Sequence, residues 1–141
     1  MGLRVAVCED YLLVAWALRL LVVDAGHHVC GIASDPDTCI AMARVERPDI
    51  VLMDIRLAHG TCGVEAAGRL WAELRIRSVY TTAYRNDATQ QDGVVGLLLK
   101  PYNRRDVCLS LEAVEAILSG REPDEVPPQL TLFGRGGAAA D

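Results

Sequence analysis

Four short apolar runs in this chain each lead into polar residues that could take part in one reaction. Val5-Ala6-Val7-Cys8 runs into Glu9-Asp10, and Ile50-Val51-Leu52-Met53 into Asp54. Val79-Tyr80-Thr81 runs into Thr82, and Leu97-Leu98-Leu99 into Lys100. Runs of this length and make-up predict buried strands. In an open parallel sheet the carboxyl ends of the strands share one edge, and ligands bind in the crevice outside it. Three carboxylates, a hydroxyl and an ammonium would then face one another. Mg²⁺ suits such a place, since it takes oxygen ligands, commonly one or two carboxylates together with waters and a substrate phosphate. Glu9, Asp10 and Asp54 can supply that partial shell. An aspartate carboxylate can also attack phosphorus and form an aspartyl phosphate. Phosphoryl transfer needs positioning and charge neutralisation more than acid–base work. Lys100 and the Thr82 hydroxyl would stabilise the equatorial oxygens from the sides a metal does not cover.

The elements that must position these groups follow from the alternation of apolar runs with segments of helical period, which signals βαβ units and a parallel sheet. Strands are predicted over 3–8, 28–33, 49–53, 77–82 and 95–99. Helices are predicted over 11–25, 36–46, 62–75, 85–92 and 103–118. Ser34-Asp35-Pro36 reads as a helix start, with a capping side chain before a first-turn proline. Gly26 and Gly120 read as helix stops. Arg85 to Asp92 is almost wholly polar, so a helix there has little to bury and should be weakly held.

Composition narrows the setting. The 141 residues suffice for one domain, with 51% apolar residues to build its core. We expect a domain over 1–119 and a flexible Pro/Gly-rich tail over 120–141, in which Leu130-Thr131-Leu132-Phe133 is the one apolar patch. The net charge is −5, with no basic stripe, which argues against direct nucleic-acid binding. No charge-free apolar stretch is long enough to span a bilayer, and the N-terminus does not read as a signal peptide. Five cysteines, an odd count without a CxxC spacing, read as reduced thiols in a cytoplasmic protein.

The chain resembles the receiver domain of two-component response regulators over residues 3 to about 119. The resemblance rests on Glu9-Asp10, on Leu52-Met53-Asp54-Ile55-Arg56-Leu57 with Gly60 and Gly63, on Thr82-Ala83, and on Gly93, Gly96 and Lys100-Pro101. It implies a flavodoxin-like α/β fold: a doubly wound, five-stranded parallel sheet in the order 2-1-3-4-5 with five helices. It implies that Asp54 accepts a phosphoryl group from a phosphohistidine of a histidine kinase or phosphotransfer protein. Glu9 and Asp10 would hold Mg²⁺, aided by Asp54 and the backbone carbonyl of Arg56, while Thr82 and Lys100 engage the phosphoryl group. It further implies a cis Lys100–Pro101 peptide, and that the side chains of Arg56 and Tyr84 tune the lifetime of the phosphorylated form. The chain would act as a signalling phosphoacceptor rather than an enzyme with turnover. Two alternatives remain: a phosphate-independent interaction module with the same fold, and an Asp-nucleophile phosphatase of the haloacid dehalogenase type. The latter resembles Asp-x-Asp at its nucleophile, whereas Arg56 follows Asp54 by two.

Two departures bear on signalling. Many receivers carry an aromatic ring three residues before the lysine, where this chain has Leu97; Tyr80 or Tyr84 could substitute, or could simply pack. The first helix is apolar on two sides. With Val14, Ala17, Leu18, Leu21 and Ala25 turned to the sheet, Leu12, Leu13, Trp16, Leu20 and Val23 still face away. Exposed contiguous apolar patches mark interaction sites. We expect a homodimer or kinase-docking surface centred on Trp16, with the helix over 103–118 contributing through Leu109 and Ala113. The rival cover is the Leu130–Phe133 segment folding back over the first helix.

Overall fold

The computed structural model describes residues 2–134. A single sheet carries the domain. Its strands are β1 (Arg4–Cys8), β2 (His28–Ala33), β3 (Ile50–Asp54), β4 (Arg77–Thr82), β5 (Val94–Leu99) and β6 (Leu130–Leu132), in the order β2-β1-β3-β4-β5-β6. The first five are parallel, as the 2-1-3-4-5 order requires; β6 is antiparallel to β5. The central strands are apolar throughout because helices cover both faces: every residue of β3 is buried.

Four α-helices surround the sheet among the described residues: α1 (Leu12–Asp24), α2 (Pro36–Glu46), α3 (Gly63–Arg69) and α4 (Arg104–Leu118). Asp35 caps α2 by accepting a hydrogen bond from Thr38 N at 2.9 Å. Asn103 and Asp106 form a reciprocal capping box at α4. Helix α3 runs on into a π-helical turn, Leu70–Leu74, and stops at Arg75 in the left-handed region. One core layer packs α1 and α4 on the sheet through Leu18, Val22, Val7, Leu52 and Leu111. The other packs α2 and α3 through Ile40, Met53, Ala66 and Leu70.

Three expectations are corrected. The predicted helix over 85–92 is reduced to a three-residue 3₁₀ turn, Arg85–Asp87. The segment has no apolar face to bury, and four helices stand where five were expected. The region 120–141 is expected to be a flexible tail, yet Leu130–Leu132 adds a sixth strand beside β5, at the edge of the sheet opposite β2, and the outer residues of α1 stay exposed rather than covered by it. Residues 135–141 lie outside the described residues. Finally, the wheel of α1 is turned: Ala15, Leu18 and Val22 are its buried residues, while Ala17 faces solvent and Val14, Leu21 and Ala25 are half-buried.

The outward stripe of α1 survives this rotation. Leu12, Leu13, Trp16, Leu20 and Val23 are all exposed, Leu20 by 70% and Trp16 by 51%. Helix α4 does not extend it. Ala113 and Ala116 are buried and Leu109 is half-buried. The chain after Gly120 folds back along α4, with Arg121 N donating to Ala116 O and Arg105 paired to Glu125 at 2.8 Å.

Candidate functional site

Strand ends bring the predicted residues together. Parallel register places Cys8 beside Met53 and Asp54 beside Thr81, so Glu9 and Asp10 leave β1 next to the end of β3. One carboxylate oxygen each from Glu9, Asp10 and Asp54 lies within 4.8 Å of the others. Glu9 and Asp54 are buried, whereas Asp10 is exposed at the rim. Lys100, just past β5, points its ammonium into the cluster, 3.3 Å from Glu9 Oε1 and 3.5 Å from Asp54 Oδ2. Its backbone N donates to Thr82 O at 2.7 Å, which ties the ends of β4 and β5. The Lys100–Pro101 peptide is cis.

This crowding shows in the protonation of Glu9. Burial first, then its hydrogen bond to Asp54 and the charge of Asp54, push its pKa up to about 7; Tyr11 N and Lys100 act the other way. Two buried carboxylates at this separation compete for one counter-charge. A divalent cation held by Glu9, Asp10 and Asp54 would relieve that competition, and an all-oxygen set with an exposed side suits Mg²⁺, which keeps several waters. Tyr102, half-buried beside the cluster, has its hydroxyl pushed up to about 12 by burial and by the charges of Glu9 and Asp54. It therefore stays a neutral wall.

Thr82 is buried, and its hydroxyl accepts a hydrogen bond from Tyr84 N at 3.0 Å. Arg56 N donates to Asp54 Oδ1 at 3.4 Å. The Arg56 side chain turns outward. Its guanidinium lies over the Tyr84 ring, 4.0 Å from the centroid, and its Nε donates to Asp87 Oδ2 at 2.8 Å. Asp87 has no signal in the sequence beyond its charge; only the 3₁₀ turn brings it to the site. An open cleft of about 410 Å³ lined by Ile55, Arg56, Thr61, Cys62 and Asp87 adjoins the end of β3. Gly63 closes the loop after β3: a Cβ there would lie 2.1 Å from Asp54 O, so this position admits only glycine.

The region of Leu97 is apolar. Leu97 packs with Ile55, Ala67, Tyr80 and Val94. Tyr80 is fully buried, donates to Thr89 O at 2.7 Å and accepts from Gln91 Nε2 at 2.8 Å. It is a core residue. Tyr84 is exposed. The aromatic ring nearest to this cluster in an unexpected way is Phe133, which follows β6 and meets Tyr80 edge-on at 6.3 Å between centroids.

Comparison with known proteins agrees with this fold. The response regulator receiver domain matches residues 5–112. The phyllosphere-induced regulator PhyR of Methylorubrum extorquens is 33% identical over 85 residues, which cover 60% of this chain and 32% of PhyR. The transcriptional regulatory protein PdtaR of Mycobacterium tuberculosis is 25% identical over 113 residues, covering 77% of this chain and 55% of PdtaR. The receiver domain of the response regulator NarL from Mycobacterium tuberculosis superposes with a TM-score of 0.73 at 27% identity, covering 85% of this chain and 98% of that domain. The chain thus spans between about a third and just over half the length of these two regulators. With its flavodoxin-like sheet, its acidic cluster at the strand ends and this match across most of its length, the chain belongs to the response regulator receiver domain family.

Proposed function

We propose that this receiver is a phosphoacceptor. It takes a phosphoryl group from a phosphohistidine of a histidine kinase or phosphotransfer protein onto Asp54, and signals through protein contacts. The observation that carries the reading is the convergence of Glu9, Asp10 and Asp54 within 4.8 Å, opposite a single ammonium at Lys100. Asp54 Oδ2 attacks phosphorus, the phosphorus–nitrogen bond breaks, and the imidazole leaves as its electron pair returns to nitrogen. Glu9, Asp10, Asp54 and the Arg56 carbonyl would hold Mg²⁺, which would neutralise charge on the phosphoryl oxygens when bound. Lys100 balances the remaining charge, and the Thr82 hydroxyl turns from Tyr84 N to donate to a phosphoryl oxygen. Arg56 two residues past Asp54, where the haloacid dehalogenase type has a second aspartate, speaks against a phosphatase. The function is therefore signalling.

The exposed stripe on α1 begins one turn from Asp10 and suits a docking surface, for a donor protein or for a second copy, with Leu12, Trp16, Leu20 and Val23 at its centre. Free thiols at all five cysteines fit a cytoplasmic setting, and among the described residues no helix is long and apolar enough to cross a membrane. Incubation with acetyl phosphate and Mg²⁺ tests the reading. One acid-labile phosphoryl group per chain is expected, lost in Asp54→Ala and on chelation of the metal. Catalytic release of phosphate would instead indicate a hydrolase, and no labelling a phosphate-independent module.

A further inference from the structure

Strand β6 has three residues, and a small set of contacts keeps it on β5. Leu99 N donates to Gln129 O and Phe133 N to Val95 O, both at 2.8 Å. Gln129 Nε2 donates to Leu99 O and Pro101 O. Leu130 is buried, and Phe133 packs on Tyr80. Gly96 is shaped for this strand: a Cβ there would lie 2.4 Å from Thr131 O, so a side chain would push β6 away. A short edge strand of this kind sits at the low end of local stability.

An unbroken line of contacts joins β6 to Asp54. Arg56 N reaches Asp54 Oδ1, and the Arg56 guanidinium holds the Tyr84 ring and Asp87. Asp87 shares its 3₁₀ turn with Arg85, whose Nη1 donates to Thr131 Oγ1 at 2.8 Å. Tyr84 N, at the head of the same turn, is held by the Thr82 hydroxyl.

We propose that β6 is a strap whose hold on β5 is set by the charge at Asp54, so that phosphorylation loosens it and bares the β5 edge. The inference rests on Asp54 being a phosphoacceptor. An aspartyl phosphate carries about two negative charges where the carboxylate carried one, and it draws Arg56 away from Asp87. The Thr82 hydroxyl leaves Tyr84 N at the same time. Both changes release the 3₁₀ turn, and Arg85 parts from Thr131. The bared edge leaves Val95 O, Leu99 N and Leu99 O without the partners that Gln129 and Phe133, on either side of β6, now give them.

Amide hydrogen exchange at Leu99 and Phe133, read by NMR on the full chain, tests this. Beryllofluoride with Mg²⁺ serves as the phosphoryl analogue. Exchange at both amides is expected to rise about tenfold or more on charging, and Asp54→Ala should abolish the response. Arg85→Ala, outside the acceptor site, should raise exchange at both amides about threefold or more without beryllofluoride. If resonances around Asp54 and Thr82 shift on charging while Leu99 and Phe133 exchange as before, the strap is refuted and the phosphoacceptor stands. If Arg85→Ala exchanges like the parent, the coupling route is refuted. If beryllofluoride produces no shift around Asp54, both readings fall together.

Discussion

The Lys100 ammonium stands 3.5 Å from Asp54 Oδ2 and 3.3 Å from Glu9 Oε1, so one cation serves two buried carboxylates. It neutralises the cluster, and it also competes with any divalent ion that enters. Lys100→Gln should therefore bind Mg²⁺ more tightly, by about tenfold, since a unit charge a few ångströms away is worth on the order of 1–4 kcal/mol at a part-exposed site. The same change should slow labelling of Asp54 from acetyl phosphate by more than about tenfold. Titration with Mg²⁺ and a labelling time course separate the two effects; weaker metal binding would contradict this account of Lys100.

Gly63→Ala should disable the acceptor without touching its chemistry. Its methyl group would collide with the backbone of Asp54 and with Met53 Cγ. Overpacking of this kind costs about 1–3 kcal/mol, and the strain falls on the strand end that aims Asp54. Denaturant unfolding should show that loss, together with a fall in labelling. A variant as stable and as well labelled as the parent would mean the loop can relax.

Trp16→Glu should leave the fold alone. The residue is half exposed and outside both core layers, so a stability change within about 0.5 kcal/mol is expected. Association, or the rate of phosphoryl transfer from a cognate kinase, should drop. Light scattering and transfer kinetics both unchanged by the substitution would remove α1 as an interface.

His27 should make the fold acid-sensitive. It is buried and its Nδ1 accepts the Leu3 N–H at 2.9 Å, which only the neutral ring can do. Burial lowers its pKa below the ordinary histidine value, against the opposing pull of Glu115 and Glu112. The unfolded chain then binds the proton more readily than the folded one. Stability from this source is present above about pH 6.5 and is lost as pH falls from there through the folded value. His27→Asn, whose side-chain oxygen can take the same N–H, should flatten the decline in melting temperature between neutral and mildly acid pH. An identical decline in the variant would place the acid sensitivity elsewhere.

The parallel strands and their polar ends were legible because a strand buried on both faces is a bare apolar run, and Glu9, Asp54, Thr82 and Lys100 each interrupt one. What stayed hidden depended on contacts between distant segments. Leu130-Thr131-Leu132 is too short to announce a strand; its partner is β5, and the glycine that admits it lies far back at position 96. Arg85 to Asp92 has little to bury, which predicts a weakly held helix; with no face to pack, only the three-residue turn Arg85–Asp87 forms. The rotation of α1 was equally invisible, since a helix apolar on two sides fits the sheet in more than one way; the face it buries carries Ala15, Leu18 and Val22. Asp87 joins Arg56 only through a turn that no local pattern announces.

Strand β6 has one more consequence. Without it, Val94-Val95-Gly96-Leu97-Leu98-Leu99 would form a bare sheet margin: six residues, uncharged, apolar but for one glycine, which is the profile of a segment that recruits other chains into fibrils. The short cover thus works as a guard against aggregation. A chain ending at Ser119 should precipitate on gentle warming where the longer one stays clear, even if both bind metal equally well.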